Sequence, residues 1–355
     1  MMANFECRTA EAAGLLQSLI RIPSLSREEA AAADFLQRFI EAQGVATGRK
    51  GNNVWCFGPA FSARKPTVLL NSHIDTVKPS AGWQRDPFCP TEMNGRLYGL
   101  GSNDAGASVV SLLYAFMALC RREQPYNLIF LASCEEEVSG LNGIESVLPE
   151  LPPVSFAVVG EPTGMQLAVA EKGLMVLDVT VSGKAGHAAR DEGENAIYKS
   201  LRDMEWFRDH CFERVSPLLG PVKMSVTQIN AGTQHNVTPD RCTFVVDVRS
   251  NELYSNEALF DIIGRHVSGE VKARSFRLNS SCISEEHPFV RKAVLSGRKT
   301  FGSPTLSDQA LMPFPSVKMG PGDSSRSHTA DEYILVKEIE EAIGMYIGLL
   351  DGLRV

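Results

Sequence analysis

The sequence predicts an α/β protein: a mainly parallel-sheet domain that carries the chemistry, interrupted by an inserted two-layer α+β domain. Three observations predict it. Short apolar runs alternate with helical stretches through the first half of the chain, the pattern of a parallel sheet covered on both faces. From Leu174 the texture changes to alternating apolar and polar residues, as in strands with one solvated face. The length of 355 residues also exceeds what one compact domain usually holds.

In order, the chain opens with two helices broken at Ile22-Pro23-Ser24-Leu25-Ser26, where Pro23 stops the first. Ser26 is placed to cap the second, which runs from about Glu28 to Gln43 and ends at Gly44. Thr67–Asn71 reads as a buried strand, Ala105–Leu119 as a buried helix, and Asn127–Ala132 and Phe156–Val159 as two more buried strands. The inserted domain is placed at 174–281 and begins with the strand Leu174–Val181. A helix over Asn195–Phe212 follows, then strands at Val222–Ile229 and Cys242–Val248, a helix near Asn256–His266 and a strand near Val271–Leu278. That order is the one of a small two-layer sandwich. Residues 1–173 and 282–355 form the first domain, which ends in the helix Glu332–Leu350.

Composition narrows the partners. A net charge of −7 lacks the basic footprint of nucleic-acid binding, and no long Lys/Arg run suits an anionic membrane surface. No apolar stretch reaches membrane-spanning length. The opening residues lack a basic start followed by an apolar core, and none of the eight cysteines forms a CxxC pair. The expectation is a cytoplasmic protein with reduced thiols, most of them packed in the core.

Five segments place polar residues just after apolar runs, where strands of such a sheet end and where ligands bind. They are Ser72-His73-Ile74-Asp75, Gly101-Ser102-Asn103-Asp104, Cys134-Glu135-Glu136-Glu137, Gly160-Glu161-Pro162 and Ser327-His328-Thr329. Each alone has an ordinary reading, such as a hydrogen-bonded core histidine or a solvated acidic turn. Together, two imidazoles and several carboxylates suit zinc or a similar divalent ion. One carboxylate can bridge two such ions about 3.5–4 Å apart, and a carboxylate left off the metals can carry a proton from water to a departing amine.

The order His-x-Asp, Asp, Glu-Glu, Glu-Pro and a late His resembles the M20 metallopeptidase and deacylase family, over essentially the whole chain. The resemblance implies a zinc-hydrolase catalytic domain with an inserted lid and dimerisation domain, and two Zn2+ per chain, with Co2+ as an alternative. It implies that His73 binds one ion and that Asp75 orients its imidazole. Asp104 would bridge the ions, Glu161 would complete the His73 site, and Glu137 and His328 would bind the second ion. Glu136 would be general base and then acid. Two departures stand out. Where the family often has Asp-Met-Lys, this chain has Asp104-Ala105-Gly106, and where it has Asp-Glu-Glu, this chain has Glu135-Glu136-Glu137. The second leaves the register open by one residue, with Val138-Ser139-Gly140 favouring the assignment given.

In the inserted domain, Ser182-Gly183-Lys184-Ala185-Gly186-His187-Ala188 resembles the family's lid turn. The resemblance implies that His187 reaches the partner subunit's active site and stabilises an oxyanion, which requires a homodimer. Asn236 would bind oxyanion or substrate, and Arg249 a substrate carboxylate, unless Arg249 is a surface charge. The stretch from Gly320 to Glu332 is similar to the metal-histidine loop of acetylornithine deacetylase. Asp323 there either meets a substrate ammonium or caps a turn, and Arg326 offers a cation for an acidic acyl group. The expected reaction is removal of the acyl group from a small N-acyl amino acid such as N-acetylornithine, in arginine biosynthesis. Succinyl-diaminopimelate desuccinylase or dipeptidase activity, a single-metal enzyme and an inactive metal-binding scaffold are the alternatives. The scaffold reading is disfavoured because neither Glu136 nor a ligand is lost.

Overall fold

Four parallel strands lie at the centre of the first unit's sheet: Asn127–Ser133, Thr67–His73, Phe156–Val159 and Ser316–Lys318, in that spatial order. The computed structural model describes residues 2–59, 61–190 and 192–355, with side chains from Ala10 onward. It divides into two compact units, one of Met1–Val169, Ile283–Phe301 and Ser307–Val355, the other of Ala170–Cys282 and Gly302–Leu306.

In the first unit, Thr67–His73 and Asn127–Ser133 are buried along their whole length, as strands covered on both faces must be. Antiparallel strands Asn53–Phe57 and Thr47–Lys50 extend one side. On one face Leu69, Ile129, Leu131, Ala157 and Val159 pack with Ile144, Val147 and Met312. On the other lies the helix Ala107–Leu119, whose Phe116 meets Phe130 at a ring-centroid distance of 6.3 Å. The expected mainly parallel sheet is therefore present.

Several boundaries differ from expectation, each for a local reason. The Ala107 helix starts two residues late because Asp104 and Ala105 have non-helical backbone angles. Ser26 caps nothing: its hydroxyl donates to Asp75 Oδ2 at 2.7 Å, and the helix runs over Ala30–Ala42. The last helix begins at Val336, because Tyr333–Leu335 forms a strand against Arg96–Tyr98. The thiols are less buried than expected. Cys56, Cys134 and Cys242 are buried, Cys120 is half-buried, and Cys89, Cys211 and Cys282 are exposed. The side chain of Cys7 lies outside the described residues.

The second unit has a four-stranded antiparallel sheet ordered Lys223–Ala231, Arg241–Arg249, Met175–Ser182, Glu270–Ala273. Alternate residues Met175, Leu177, Val179 and Val181, with Phe244, Val246 and Val248, face Phe207, Leu259 and Ile263 from its two helices. Those helices, Ala196–Asp209 and Asn256–Gly264, are capped by the Asn195 and Ser255 side chains. The strand expected to reach Leu278 stops at Ala273, and Phe276 and Leu278 turn their carbonyls to Asn256. No helix among the described residues is long and apolar enough to cross a membrane.

Asn256 is fully buried, donates to the carbonyls of Leu174, Phe276 and Leu278, and accepts from the Ser250 hydroxyl at 2.9 Å. Asn256→Ala leaves those groups unpaired and is expected to cost about 3 kcal/mol, read from urea unfolding. A loss below about 1 kcal/mol would mean that the network is replaced by solvent.

Candidate metal centre

The first unit's strand ends deliver the polar side chains. His73 closes its strand at 1% exposure, and its Nδ1 lies 2.9 Å from the backbone carbonyl of Asp75. The Asp75 carboxylate is farther from that nitrogen, at 3.5 Å, because it is engaged elsewhere. Its Oδ1 accepts from the backbone N–H of Glu136 at 3.0 Å, and its Oδ2 from those of Glu137 at 3.1 Å and from Ser26. Asp75 therefore fixes the acidic turn as much as the imidazole.

His73 Nε2 is buried without a hydrogen-bond partner. Around it lie Asp104 Oδ1 at 3.4 Å, Glu161 Oε1 at 3.5 Å and Glu136 Oε2 at 3.9 Å. A buried ring nitrogen without a partner, facing three carboxylates, is a fit for a divalent cation. The second oxygen of Asp104 faces a different imidazole, with Oδ2 3.6 Å from His328 Nε2. His328 Nε2 also lies 2.9 and 3.1 Å from the two oxygens of Glu137. Asp104 thus stands between two nitrogen–carboxylate clusters, and His73, Asp104 and Glu137 can converge on one point, as can His73, Glu136 and Glu161.

Glu135 does not join them. Its carboxylate accepts from Asn142 Nδ2 at 2.9 Å, so the structure brings Glu136 and Glu137 to the cluster and turns Glu135 away. Glu135 and Ser139 hold the turn in left-handed backbone, at φ 56° and 45°.

Two acids that the sequence does not mark as part of the site support the centre. Glu332, a helix start by sequence, lies before the helix, and its buried carboxylate accepts from the backbone N–H groups of Gly101, Asn103 and Asp104 at 3.0, 2.8 and 2.9 Å. Asp308 accepts from the Ser133 hydroxyl at 2.5 Å, behind the His73 strand end. A carboxylate that binds distant backbone N–H groups leaves no local sequence signal. For Glu332 the one hint was an acid closing the Gly320–Glu332 stretch.

Crowding of like charge shapes the titration. Burial, then the neighbouring Glu161, Asp308 and Glu137, lifts Glu136 well above the usual carboxylate range, against the pull of His73. Burial likewise raises Glu161. Burial and then Asp104 lift Glu332 to about 8. Burial works against protonation of His73, but Glu161, Asp104, Asp75 and Glu136 hold its pKa well above the ordinary value. The hydrogen bond to Glu137 lifts His328 to about 9.

The remaining expected residues have mixed placements. In the second unit, Gly186–His187 pairs with Val237–Thr238, and Ala188 N–H donates to the Asn236 carbonyl, so the exposed His187 and Asn236 lie on one two-stranded ribbon. Arg249 closes its fork on Asp247 at 2.8 and 3.0 Å. In the first unit, Asp323 Oδ1 accepts from the Ser325 N–H at 2.8 Å, which is the turn-capping arrangement. The role expected of Arg326 is not available. Its guanidinium is committed to Glu338 at 2.7 and 3.2 Å and stacks 4.6 Å from the Tyr333 ring centre.

A parallel sheet whose strand ends gather imidazoles and carboxylates around an aspartate that faces both rings defines a metal-dependent hydrolase centre. The chain belongs to peptidase family M20/M25/M40, whose family model matches residues 69–352. It is similar to a putative succinyl-diaminopimelate desuccinylase of Mycobacterium tuberculosis, 28% identical over 95% of this chain and 97% of that one. It is equally similar to an acetylornithine deacetylase of Proteus mirabilis, 28% identical over 92% of each. Its fold matches a dinuclear metal-binding M20 peptidase of Bacillus subtilis, with TM-score 0.71, 17% identity and coverage of 97% and 98% of the two chains.

Glu332, Glu136, Glu161, His73 and His328 all bind protons more tightly in the folded chain than their ordinary values allow. A raised folded-state pKa contributes stability that is lost as pH rises. Metal-stripped protein is therefore expected to lose melting temperature as pH climbs from 4.5 to about 9, and added zinc to reduce that slope. A pH-independent melting temperature for stripped protein would contradict the arrangement.

Proposed function

We propose that this chain is a two-zinc amidohydrolase that removes the acyl group from a small N-acyl amino acid, N-acetylornithine or a close ornithine or citrulline analogue, in arginine biosynthesis. One observation carries the two-metal reading: the two oxygens of Asp104 face two different imidazoles, His73 at 3.4 Å and His328 at 3.6 Å. His73 and Glu161 would hold one ion, Glu137 and His328 the other, and Asp104 both. Zn2+ suits this mix of nitrogen and oxygen donors, and Co2+ accepts the same geometry.

When bound, the ions would supply polarisation of the scissile carbonyl and a more acidic water. The chain's own residues do the rest. Of the three carboxylates that face His73 Nε2, Glu136 is the farthest, at 3.9 Å, and is left to move protons. It takes a proton as the water oxygen bonds to the acyl carbon, then gives it to the nitrogen as the C–N bond breaks, so a carboxylate and a free amine leave. Its raised proton affinity suits both halves of that exchange. Asp75 holds the Glu136–Glu137 turn and the His73 ring in register.

The segment 174–281 would act as lid and dimerisation domain of a homodimer, with His187 and Asn236 of its two-stranded ribbon as oxyanion donors. Arg249 would take the substrate carboxylate by leaving Asp247. Asp323 would meet the substrate ammonium only through the oxygen not used by Ser325. The Proteus relative supports the acetylornithine reading, and the equally similar Mycobacterium relative supports succinyl-diaminopimelate as the second reading.

Zinc-loaded protein offered N-acetylornithine, N-succinylornithine, N-acetylcitrulline and N-succinyl-diaminopimelate is expected to turn over an ornithine or citrulline derivative fastest. Preference for the diaminopimelate would select the second reading. Glu136→Gln is expected to lower kcat by about 10²–10⁴-fold while elemental analysis still finds two metals per chain. Full activity in that variant would remove Glu136 as the proton carrier.

A further inference from the structure

Away from the metal centre, the first unit carries an open trough of about 420 Å3 walled by three helices. Each helix gives it one stripe at helical spacing: Gly14 on Met2–Ile20, Phe35 and Phe39 on Ala30–Ala42, Met117 on Ala107–Leu119, and Arg121 just past that helix's end. The volume is that of a small-molecule site, which typically spans about 300–1,000 Å3.

Three features go beyond an ordinary gap between helices. Phe35, Phe39 and Met117 are only half-buried, so apolar surface is left facing the trough. Gly14 sits inside a helix, where glycine weakens the backbone, yet a methyl group added there would meet nothing within 4 Å. Packing does not demand the glycine, and its position lines the open trough. Arg121 has an exposed guanidinium with no carboxylate partner among the described residues. The trough's other charged residue, Glu11, is already engaged. A single free planar fork beside an aromatic floor matches a carboxylate on an apolar body.

We propose that this trough binds a small apolar carboxylate, its anionic head on Arg121 and its apolar body over Phe35, Phe39 and Met117, in the space that Gly14 leaves open. The helix beneath this ligand is the one that begins three residues after Asp104, so the site lies on the same element as the metal centre but at its opposite end.

Calorimetric titration of the full chain with octanoate tests this, in metal-loaded and metal-stripped protein. One saturable site per chain is expected in both, with octylamine failing to bind. Arg121→Gln should weaken octanoate by about tenfold or more, the loss of a charge-assisted contact. Gly14→Leu should abolish binding by filling the trough, and Gly14→Ala, which tests the helix alone, should melt no lower than the parent. Absence of saturation, equal binding of octylamine, or unchanged affinity in Arg121→Gln would each overturn the proposal. Binding that vanishes with the metals would move octanoate to the metal centre and overturn it too. A change in sedimentation of Gly14→Leu from dimer to monomer would assign the trough to a second copy of the chain instead.

Discussion

The structure of the first unit depends on one electrostatic constraint: carboxylates of Asp75, Asp104, Glu136, Glu137 and Glu161 are brought close to one another around His73 and His328. Buried like charges repel, and without compensation they take up protons instead. That response is visible in the raised proton affinity of Glu136 and Glu161. Asp104 and Asp75 shift the other way. Burial opposes their ionisation, but the contacts of each with His73 hold them below the usual range. The chain has concentrated negative charge that two divalent ions would neutralise together.

Everything near the centre serves to keep that charge in place. Parallel strands end at a common edge, so His73 and the segments after Ser133 and Val159 arrive side by side without long connections. Asp104, which faces both imidazoles, comes from a turn whose N–H groups are satisfied by Glu332, a residue 228 positions later. The return loop also carries His328, in left-handed backbone at φ 58°. Non-glycine residues are rarely held there unless the surroundings over-determine them, and Glu135, Ser139 and His328 all flank the centre. Precision at the side chains is obtained from the backbone.

Much of this was legible in the sequence, and the division between what was and was not has a physical basis. The buried strands announced themselves as apolar runs, because both faces are covered. His73, Asp104, Glu136, Glu137, Glu161 and His328, which the sequence marks through their order along the chain, are brought together because each follows closely on a strand end or loop at one edge of the sheet. Residues whose partner lies far along the chain were not legible. Ser26 looks like a helix cap locally, yet Asp75, 49 positions away, is the acceptor it finds. Arg326 looks like a free cation beside the centre, but Glu338 and the Tyr333 ring claim it. Glu332 and Asp308 work through backbone N–H and a serine hydroxyl, neither of which constrains the neighbouring sequence.

The central claim is that Asp104 bridges two ions. Anomalous diffraction from zinc-loaded crystals, collected on both sides of the zinc absorption edge, tests it most directly. Two peaks about 3.5–4 Å apart are expected, one beside His73 and Glu161 and the other beside Glu137 and His328, with an oxygen of Asp104 on each. A single peak at full occupancy, or two peaks that Asp104 does not join, would contradict the account.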